Sequence, residues 1–427
     1  MDADFDTTAS SSHVRRAMSL IAVSLFVIAV SGILYLHPAL PAFGQSASGA
    51  PAAQSSYRVG AVDFVDPLHG WVVALLAAGD LAVLHTADGG ATWTRQLAVA
   101  GDVHPNYMKF FDERVGVFAL LGVRPVLYAT EDGGTTWAQR PALSDGTSVI
   151  SWSFVDSDHG WMLAHGEDSE AVTPVRLYRT QDGGRSWDDL GLPVAPPAQA
   201  YQVHFSYLTT GWLSISGPEP AAYKSIDFGR TWKPVALPPP AAGWPSKGQY
   251  FVGVQPTVGS GALASIVFFP PVKGRTGVGG SIRAFPPLTV RAFDGGRPYI
   301  YLYTTVLDRL AAGGRTGAPA PNETILSTGD DGASWTAIDQ PPAGGAIGYS
   351  DATHWWWVGA GSWSKSADGG ATWSGPIETS VIEPLPGLLQ VLDRRNAWLA
   401  GTSGQRPVLQ GTVDGGQHWR TVSLPPV

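Results

Sequence analysis

Aspartate is the residue of this sequence whose repeated spacing most suggests chemistry. Seven times an Asp stands in the pattern Ser/Thr-x-Asp-x-Gly-x-x-Trp, as in TADGGATW at residues 86–93. Two carboxyls at a suitable separation can serve a glycoside hydrolase as acid and as base or nucleophile. The aspartates are Asp88, Asp132, Asp182, Asp227, Asp330, Asp368 and Asp414, and the tryptophans are Trp93, Trp137, Trp187, Trp232, Trp335, Trp373 and Trp419.

This pattern, here called the box, is better explained as a structural joint, because an active site needs one constellation and not seven copies. The Asp can accept hydrogen bonds from nearby backbone N–H groups, and the Ser/Thr hydroxyl can add another. Gly supplies a positive φ, and Trp can bury ~150–250 Å² beside the following strand. We therefore predict structural boxes and no catalytic residue among them.

The boxes recur with the period of a four-stranded unit. Their tryptophans are 38 to 50 residues apart, except for 103 residues between Trp232 and Trp335. Ahead of the boxes an Asp is followed by a turn and an aromatic strand, as in FVDPLHGWVV and FVDSDHGWML. Short aromatic and β-branched strands at such a period are typical of propeller blades.

We therefore predict an all-β fold, a seven-bladed β-propeller over residues 57–427, interrupted around 243–325. Residues 243–285 are either an insertion in the fifth blade or an eighth blade without a box, with strands in QYFVGVQPTV and ALASIVFFPP. FDGGRPYIYLY, with Asp294 and Tyr299, resembles the Asp turn and aromatic strand that precede a box. Seven blades with an elaborated fifth are the favoured alternative.

The seven boxes resemble the Asp-box, or bacterial neuraminidase repeat, of sialidases and several other propeller families. With the D-x-x-H-G-W turn, residues 57–427 more closely resemble the propellers of the photosystem II stability/assembly factor family. The motif is specific for fold, since unrelated activities share it. The resemblance implies a scaffold that binds a protein or envelope component and catalyses no reaction, and it does not imply a photosystem.

A secreted sialidase-like or other glycoside hydrolase on the same scaffold is the alternative function. The Arg-Ile-Pro motif of sialidases has only a weak counterpart in YRVG at residues 57–60. WWW at 355–357 and Trp363 could stack on sugars, but the alternation of side chains along a strand favours core packing. We therefore expect a binding protein and not an enzyme.

The histidines, the absence of cysteine and the net charge argue against metal, thiol and nucleic-acid sites. His69, His159 and His354 each follow an Asp by three residues at the same point of the repeat, so they point around a ring and not toward one metal. We predict no metal and no cofactor. Cysteine is absent, which excludes disulfides and thiolate nucleophiles, and the formal net charge of −8 argues against nucleic-acid binding.

The interrupted segment carries a net positive charge within this acidic protein. A docking surface for a carboxylate-rich partner or for anionic headgroups is one interpretation. The other is a solvated, Gly-rich loop whose charges maintain solubility. The candidate partner-binding residues are Lys273, Arg275, Arg283, Arg291 and Arg297.

The N-terminus predicts a membrane anchor. Arg15 and Arg16 precede an uncharged segment at 17–36, which as a helix of ~1.5 Å per residue spans a ~30 Å hydrocarbon core. Positive charge before the segment places residues 1–16 in the cytoplasm and the propeller outside it, in the periplasm or at the cell exterior.

The segment that follows the anchor, residues 37–56, is rich in Ala, Ser, Pro and Gly and is expected to be a flexible linker. A cleaved signal peptide ending near Ala42 or Ala47 is the alternative, and it would give a secreted protein. An apolar segment longer than a usual signal sequence favours the uncleaved anchor.

Overall fold

The computed structural model describes most of the chain from Tyr57 onward. No helix among the described residues is long and apolar enough to cross a membrane. The predicted anchor at 17–36 and linker at 37–56 lie outside the described residues. The described residues are 57–76, 79–101, 104–121, 125–140, 143, 148–165, 175–192, 200–216, 220–238, 249–256, 262–269, 291–293, 297–299, 322–338, 346–351, 353–359, 361–382, 384–403, 406–425 and 427.

Seven four-stranded antiparallel sheets make up this part of the chain, and each is a meander in chain order. The first sheet contains β1 (Arg58–Phe64), β2 (Gly70–Leu75), β3 (Leu81–Thr86) and β4 (Thr94–Val99). The second contains β5 (His104–Phe110), β6 (Gly116–Leu121), β7 (Val126–Thr130) and β8 (Ala138–Arg140). The third contains β9 (Ser148–Phe154), β10 (Gly160–His165), β11 (Val175–Thr180) and β12 (Asp188–Gly191). The fourth contains β13 (Ala200–Phe205), β14 (Gly211–Ser216), β15 (Ala221–Ser225) and β16 (Lys233–Val235).

The last three sheets follow the same order, and the fifth is interrupted by a separate hairpin. The fifth contains β17 (Gln249–Pro256), β18 (Ala262–Phe269), β21 (Asn322–Thr328) and β22 (Thr336–Ala337), and the hairpin contains β19 (Arg291–Phe293) and β20 (Arg297–Tyr299). The sixth contains β23 (Ala346–Tyr349), β24 (Trp355–Gly359), β25 (Ser362–Ser366) and β26 (Ile377–Glu378). The seventh contains β27 (Pro384–Val391), β28 (Ala397–Ser403), β29 (Arg406–Thr412) and β30 (Arg420–Val422). The all-β prediction is confirmed, and seven such sheets are consistent with seven blades.

The fifth sheet differs from the prediction in one respect. Its first two strands are β17 and β18, so the segments read as candidates for an eighth blade belong to the sheet that carries the fifth box. The strands β19 and β20, which flank Asp294 in the sequence, form a two-stranded sheet of their own and are not the first half of the fifth sheet. The interpretation of FDGGRPYIYLY was therefore wrong, because the interruption falls between the second and third strands and separates the box from its own turn.

Flat aromatic rings join neighbouring sheets. Trp71 of the first sheet stacks on Phe110 of the second, with ring centroids 3.4 Å apart and planes 5° from parallel. Trp398 of the seventh sheet stacks on Phe64 of the first at 4.1 Å. Because the same pairing links adjacent sheets and also the last sheet to the first, the sheets close into a ring.

Buried polar side chains on the innermost strands reinforce these contacts. The Phe110 N–H donates to Asp63 Oδ2 at 2.6 Å, and the Phe205 N–H donates to Ser153 Oγ at 2.9 Å. Gln390 Nε2 donates to Asp63 Oδ1 at 3.1 Å across the junction of the seventh and first sheets. A buried group that is hydrogen-bonded avoids the cost of desolvation, so these bonds fix the register between blades.

One end of the strands carries both repeated loops of every sheet but the fifth, whose first turn lies outside the described residues. The turn between the first two strands is bound to the box of the same sheet, as where the Gly133 N–H donates to Arg114 O at 2.7 Å and the Gly183 N–H to Asp158 O at 2.9 Å. We call this end the box face. It comprises turns 65–69, 111–115, 155–159, 206–210, 350–354 and 392–396 with boxes 86–93, 130–137, 180–187, 225–232, 328–335, 366–373 and 412–419.

Candidate functional site

Each box closes a turn between the third and fourth strands, and the third sheet shows the bonding. Asp182 Oδ1 accepts hydrogen bonds from the Thr180 hydroxyl at 2.8 Å and from the Ser186 backbone N–H at 2.9 Å. Its Oδ2 accepts the Ser186 hydroxyl at 2.6 Å. The Thr180 hydroxyl oxygen accepts the Gly184 N–H at 2.8 Å. The Asp182 carboxylate is thus engaged within its own turn.

These bonds lower the pKa of the box carboxyls. At Asp182 burial acts to raise the pKa, but the hydrogen bonds from Ser186 and Thr180 outweigh it and bring the pKa from 3.8 to about 2. At Asp330 the hydrogen bond from Ser334 is the largest cause, and the pKa is again about 2. A general acid in a glycoside hydrolase needs a raised pKa. The lowered pKa of these carboxyls therefore fits hydrogen-bond acceptors in a turn and not catalytic acids. The pKa is lowered also at Asp88, Asp132, Asp227, Asp368 and Asp414.

The box tryptophans cover the margin of the core, and other tryptophans fill its centre. Trp187 meets Trp152 edge-to-face at a centroid distance of 5.7 Å and is only partly buried. Trp161, on the second strand of the same sheet, has no exposed surface. Two box tryptophans, Trp232 and Trp419, are buried, and the partly buried ones are Trp93, Trp137, Trp187, Trp335 and Trp373.

The motif that precedes each box explains these buried rings. A Cβ on Gly160 would stand 2.5 Å from the Phe154 ring, so only glycine fits where the second strand begins. The next residue, Trp161, crosses to the following sheet, where its Nε1 donates to Phe228 O at 3.0 Å and its ring stacks on Phe205 at 3.6 Å. The Gly-Trp pair therefore joins one blade to the box of the next.

The turn histidines bond to the aspartate three residues before them. His159 Nδ1 lies 2.9 Å from Asp156 Oδ1, which also accepts the His159 backbone N–H at 2.7 Å. Burial acts to raise the pKa of Asp156, but the hydrogen bonds from His159 outweigh it and the pKa is lowered. His354 is placed in the same way, with Nδ1 2.8 Å from Asp351 Oδ1. These histidines occupy equivalent turns of different sheets, as the repeat predicted.

One group of described residues has the spacing of metal ligands. Potential ligand atoms of Asp66, His69 and Glu113 lie within 4.8 Å of one another. His69 Nδ1 is, however, 2.8 Å from Asp66 Oδ2 within their own turn, and Glu113 is exposed. Because the same His–Asp contact recurs in the third and sixth sheets, it follows from the repeat, and we assign no metal to it.

The tryptophans considered for sugar stacking belong to the core. The exposed fractions of Trp355, Trp356, Trp357 and Trp363 are 2%, 1%, 6% and 4%. The prediction of core packing is confirmed, since none of these rings offers a face to a sugar. Arg58, the arginine of YRVG, is exposed at the start of β1.

The predicted cationic docking residues are only partly placed. Lys273, Arg275 and Arg283 lie outside the described residues. Arg291 and Arg297 are the first residues of β19 and β20 in the separate hairpin, where they pair with Tyr299 and Phe293 respectively. Whether these five residues bind a partner stays a prediction.

A cleft on the box face, between the second and third sheets, is the candidate functional site. Its volume is about 330 Å³. It is formed where the turn and box of one sheet meet those of the next. The residues that line it are Asp112, Arg114, Val115, Gly116, Val117, Ala129, Thr130, Glu131, Arg140, Ser157, Asp158, Gly183 and Arg185.

The arginines of the cleft differ in how far they are already bound. Arg185 is ion-paired with Glu131 at 3.3 Å, and both side chains are largely exposed. Arg114 reaches only the Glu131 carbonyl, at 3.5 Å. Arg140 Nε is buried and has no hydrogen-bond partner. Asp112 holds its own turn, because its Oδ1 accepts the Arg114 N–H at 2.7 Å. Donors of Arg114 and Arg140 therefore remain for a ligand, and guanidinium groups bind carboxylates and phosphates best.

No motif in the sequence predicts this cleft. Its arginines occupy three different points of the repeat: Arg114 in a turn, Arg140 at the end of an outer strand and Arg185 in a box. They meet because the box of one sheet lies beside the box of the next, as the contact between Arg185 and Glu131 shows. Comparing the box of each sheet with the box of the next sheet would have shown Arg185 and Glu131 as a pair of opposite charges.

Residues 96–243 match the family model described as photosynthesis system II assembly factor YCF48. The resemblance to this propeller family is confirmed over that segment. It includes the second, third and fourth sheets, and with them the whole cleft.

Solved structures of similar architecture were also found. YCF48 bound to D1 peptide is 18% identical, with 74% of this chain and 81% of that chain covered and a TM-score of 0.42. YCF48 from Cyanidioschyzon merolae is 16% identical, with 85% and 95% covered and a TM-score of 0.44. A mutant of Trypanosoma rangeli sialidase displaying trans-sialidase activity is 12% identical, with 87% and 56% covered and a TM-score of 0.37. No curated protein matches this sequence, and likenesses at these levels carry no functional argument.

Proposed function

We propose that this protein is a seven-bladed, non-enzymatic binding module that holds a partner protein on its box face. The observation that carries the proposal is the cleft, in which the buried Arg140 Nε has no partner and Arg114 makes one long bond. Carboxylates of a partner would offer these two guanidinium groups the acceptors that they lack, and a charge-assisted bond to arginine is stronger than one between neutral groups. The matching family model, which is named for an assembly factor, supports a protein as the partner.

The chemistry of the cleft favours binding over hydrolysis. Its lining residues include no histidine or tyrosine that could act as base or nucleophile. Of its three carboxyls, Asp112 holds a turn and Glu131 is paired with Arg185, which leaves Asp158 alone. Glycoside hydrolysis needs two carboxyls free to act on one bond, so nothing in this cleft favours the hydrolase alternative.

The binding role predicts which substitutions weaken partner capture. Full-length protein carrying Arg114→Glu with Arg140→Gln should retain at least fivefold less partner after cross-linking in cells and affinity capture. Capture by wild type should weaken as salt rises, because exposed charges are screened. Arg58→Glu, an exposed cation on the first strand of another sheet, is the matched control. Undiminished capture by the double variant would contradict the role of the cleft.

The cationic insertion provides a second arm of the same experiment. Reversing the charge of Arg275, Arg283 and Arg291 together tests the docking surface predicted from the sequence. Loss of capture here, with the cleft variant unaffected, would move the binding surface to the insertion. A docking surface is open to solvent, and exposed charges contribute little to stability, so on this proposal the melting temperature should change little.

A catalytic test separates the two candidate functions. The purified chain should not hydrolyse sialosides or β-glucan oligosaccharides above background. Turnover that disappears when one carboxyl outside the boxes is replaced would overturn the non-enzymatic proposal.

We also propose that residues 17–36 anchor the propeller to a membrane from its extracytoplasmic side. The support is in the sequence: Arg15 and Arg16 precede a segment that has no charge and is long enough to span a bilayer. Cell fractionation should recover the full chain in membranes, and protease added from outside should cut within 37–56. A soluble product that begins near residue 43 or 48 would show a cleaved signal peptide instead.

A further inference from the structure

The fourth sheet presents large apolar side chains on the box face. Tyr207 and Leu208, in its first turn, are 49% and 37% exposed, and Ile226, in its box, is 63% exposed. The Phe228 N–H donates to Thr209 O at 3.1 Å, which holds turn and box together. We call Tyr207, Leu208, Ile226 and Phe228 the apolar rim. Contiguous exposed apolar groups of this kind commonly mark interaction surfaces.

Two of these side chains stand where the repeat requires a different residue. Tyr207 replaces the turn aspartate that Asp156 represents in the preceding sheet, where the carboxylate accepts backbone N–H groups at 2.9 and 2.7 Å. Phe228 replaces the first box glycine, and its φ of 66° is close to the 68° of Gly183. A bulky residue at positive φ is strained. The fourth sheet therefore lacks both the turn aspartate and the first box glycine. The residues that replace them, Tyr207 and Phe228, are both apolar and both belong to the rim.

Backbone strain from a non-glycine residue at positive φ occurs at few positions of the described chain. Among the described residues only Phe228 and Asp331 are non-glycines at positive φ. Asp331 has a structural partner, since its carboxylate forms an ion pair with Lys224 of the fourth sheet. Phe228 has no comparable ion pair; its ring lies 5.5 Å from the Arg230 guanidinium and packs, partly buried, against the core cluster that contains Trp161 and Phe205. The exposed members of the rim are therefore Tyr207, Leu208 and Ile226.

The charges beside the rim indicate the chemistry of its occupant. Arg230 and Lys233 are both exposed, and within the described part of the chain neither has a carboxylate at ion-pair distance. Apolar groups next to unpaired cations complement a segment that carries aliphatic or aromatic side chains beside a carboxylate.

We propose that the apolar rim is a docking site for an acidic, apolar segment of a partner protein. The proposal rests on the proposed binding function and names the chemistry of the partner. The rim belongs to the segment matched by the family model, as does the arginine cleft of the neighbouring sheets. A partner extended along the box face would contact the cleft with its carboxylates and the rim with its apolar side chains.

Panning a displayed library of random twelve-residue peptides against the full-length chain in detergent tests this inference. Enriched peptides should combine Asp or Glu with Leu, Ile, Phe, Tyr or Trp. The affinity of the best synthetic peptide, measured by fluorescence anisotropy, should fall at least fivefold in Ile226→Ser and in Phe228→Gly. Ile377→Ser is the matched control, because Ile377 is 43% exposed in the sixth sheet and outside the rim; its affinity should equal that of wild type.

Ile226→Ser separates function from folding. Because Ile226 is 63% exposed, this variant should melt at nearly the same temperature as wild type while it loses peptide affinity. Equal affinity of wild type and both rim variants would overturn the proposal, as would a selection with no enriched acidic and apolar motif. So would binding to 3:1 phosphatidylcholine–phosphatidylglycerol vesicles that Ile226→Ser abolishes while peptide binding persists. Each of these results, together with normal capture by the arginine cleft, would remove the rim and leave the proposed function standing.

Discussion

Replacing Trp161 tests how the blades are held together. This side chain has no exposed surface, its ring lies 3.6 Å from Phe205 of the next sheet, and its Nε1 donates to Phe228 O at 3.0 Å. Removing a buried tryptophan costs ~3–5 kcal/mol, and the stacked pair contributes ~0.5–1.5 kcal/mol beyond its buried area. Trp161→Ala should therefore lower the free energy of unfolding by ~3.5–6.5 kcal/mol.

Two comparison variants separate the contributions to this loss of stability. Trp161→Phe keeps an aromatic ring against Phe205 but leaves Phe228 O without its donor, which should cost ~1–3 kcal/mol. Trp187→Ala removes the box tryptophan of the same sheet, which is only partly buried, and should cost ~2–3 kcal/mol. Burial alone therefore predicts that Trp161→Ala is the least stable of the three proteins, Trp187→Ala is intermediate and wild type is the most stable.

Guanidinium denaturation of the full-length variants, followed by far-ultraviolet circular dichroism, gives these free energies. The slope with denaturant should be unchanged, which shows that the folded and unfolded states expose similar surfaces. If Trp187→Ala proved more damaging than Trp161→Ala, the box tryptophan would be the main joint between blades. A loss below ~1 kcal/mol for Trp161→Ala would refute the stacking account altogether.

Two further predictions concern the repeat. Gly160→Ala should destabilise the protein by ~1–3 kcal/mol because its new methyl group meets the Phe154 ring, whereas Gly375→Ala, which has nothing within 4 Å, should be nearly neutral in thermal melts. The pKa of Asp182 is lowered from 3.8 to about 2 in the folded state, so its contribution to stability is present above pH 4 and is lost as the pH falls toward 2. The melting temperature of wild type should drop over that interval, and Asp182→Asn, which carries no charge to lose, should drop less; parallel curves would contradict the linkage.

The repeat made most of the fold predictable. Spacing of the boxes predicted four-stranded units, and the structure has one four-stranded sheet for each of the seven boxes. The Asp-His turns were also readable, because both residues recur at fixed separation. The fifth sheet was misread since its second and third strands, β18 and β21, are separated by the interruption, and a local pattern cannot show which distant strands pair.

The candidate site was much less predictable than the fold. Arg114, Arg140 and Arg185 share no motif, and their proximity follows from the packing of two adjacent sheets. The apolar rim was visible in principle, since Tyr207 and Phe228 depart from a repeated pattern. A departure read from the sequence alone is equally consistent with a degenerate repeat, and the exposure of Tyr207, Leu208 and Ile226 is what indicates a surface.

Hydrogen exchange of the full-length chain, with and without its captured partner, tests the central claim most directly. The binding account predicts protection of backbone amides on the box face of the second to fourth sheets, at 111–115, 130–137, 180–187 and 225–232. Exchange at the opposite ends of the strands, around 79–81 and 125–126, should stay the same. Protection confined to those opposite ends, with none on the box face, would contradict the account.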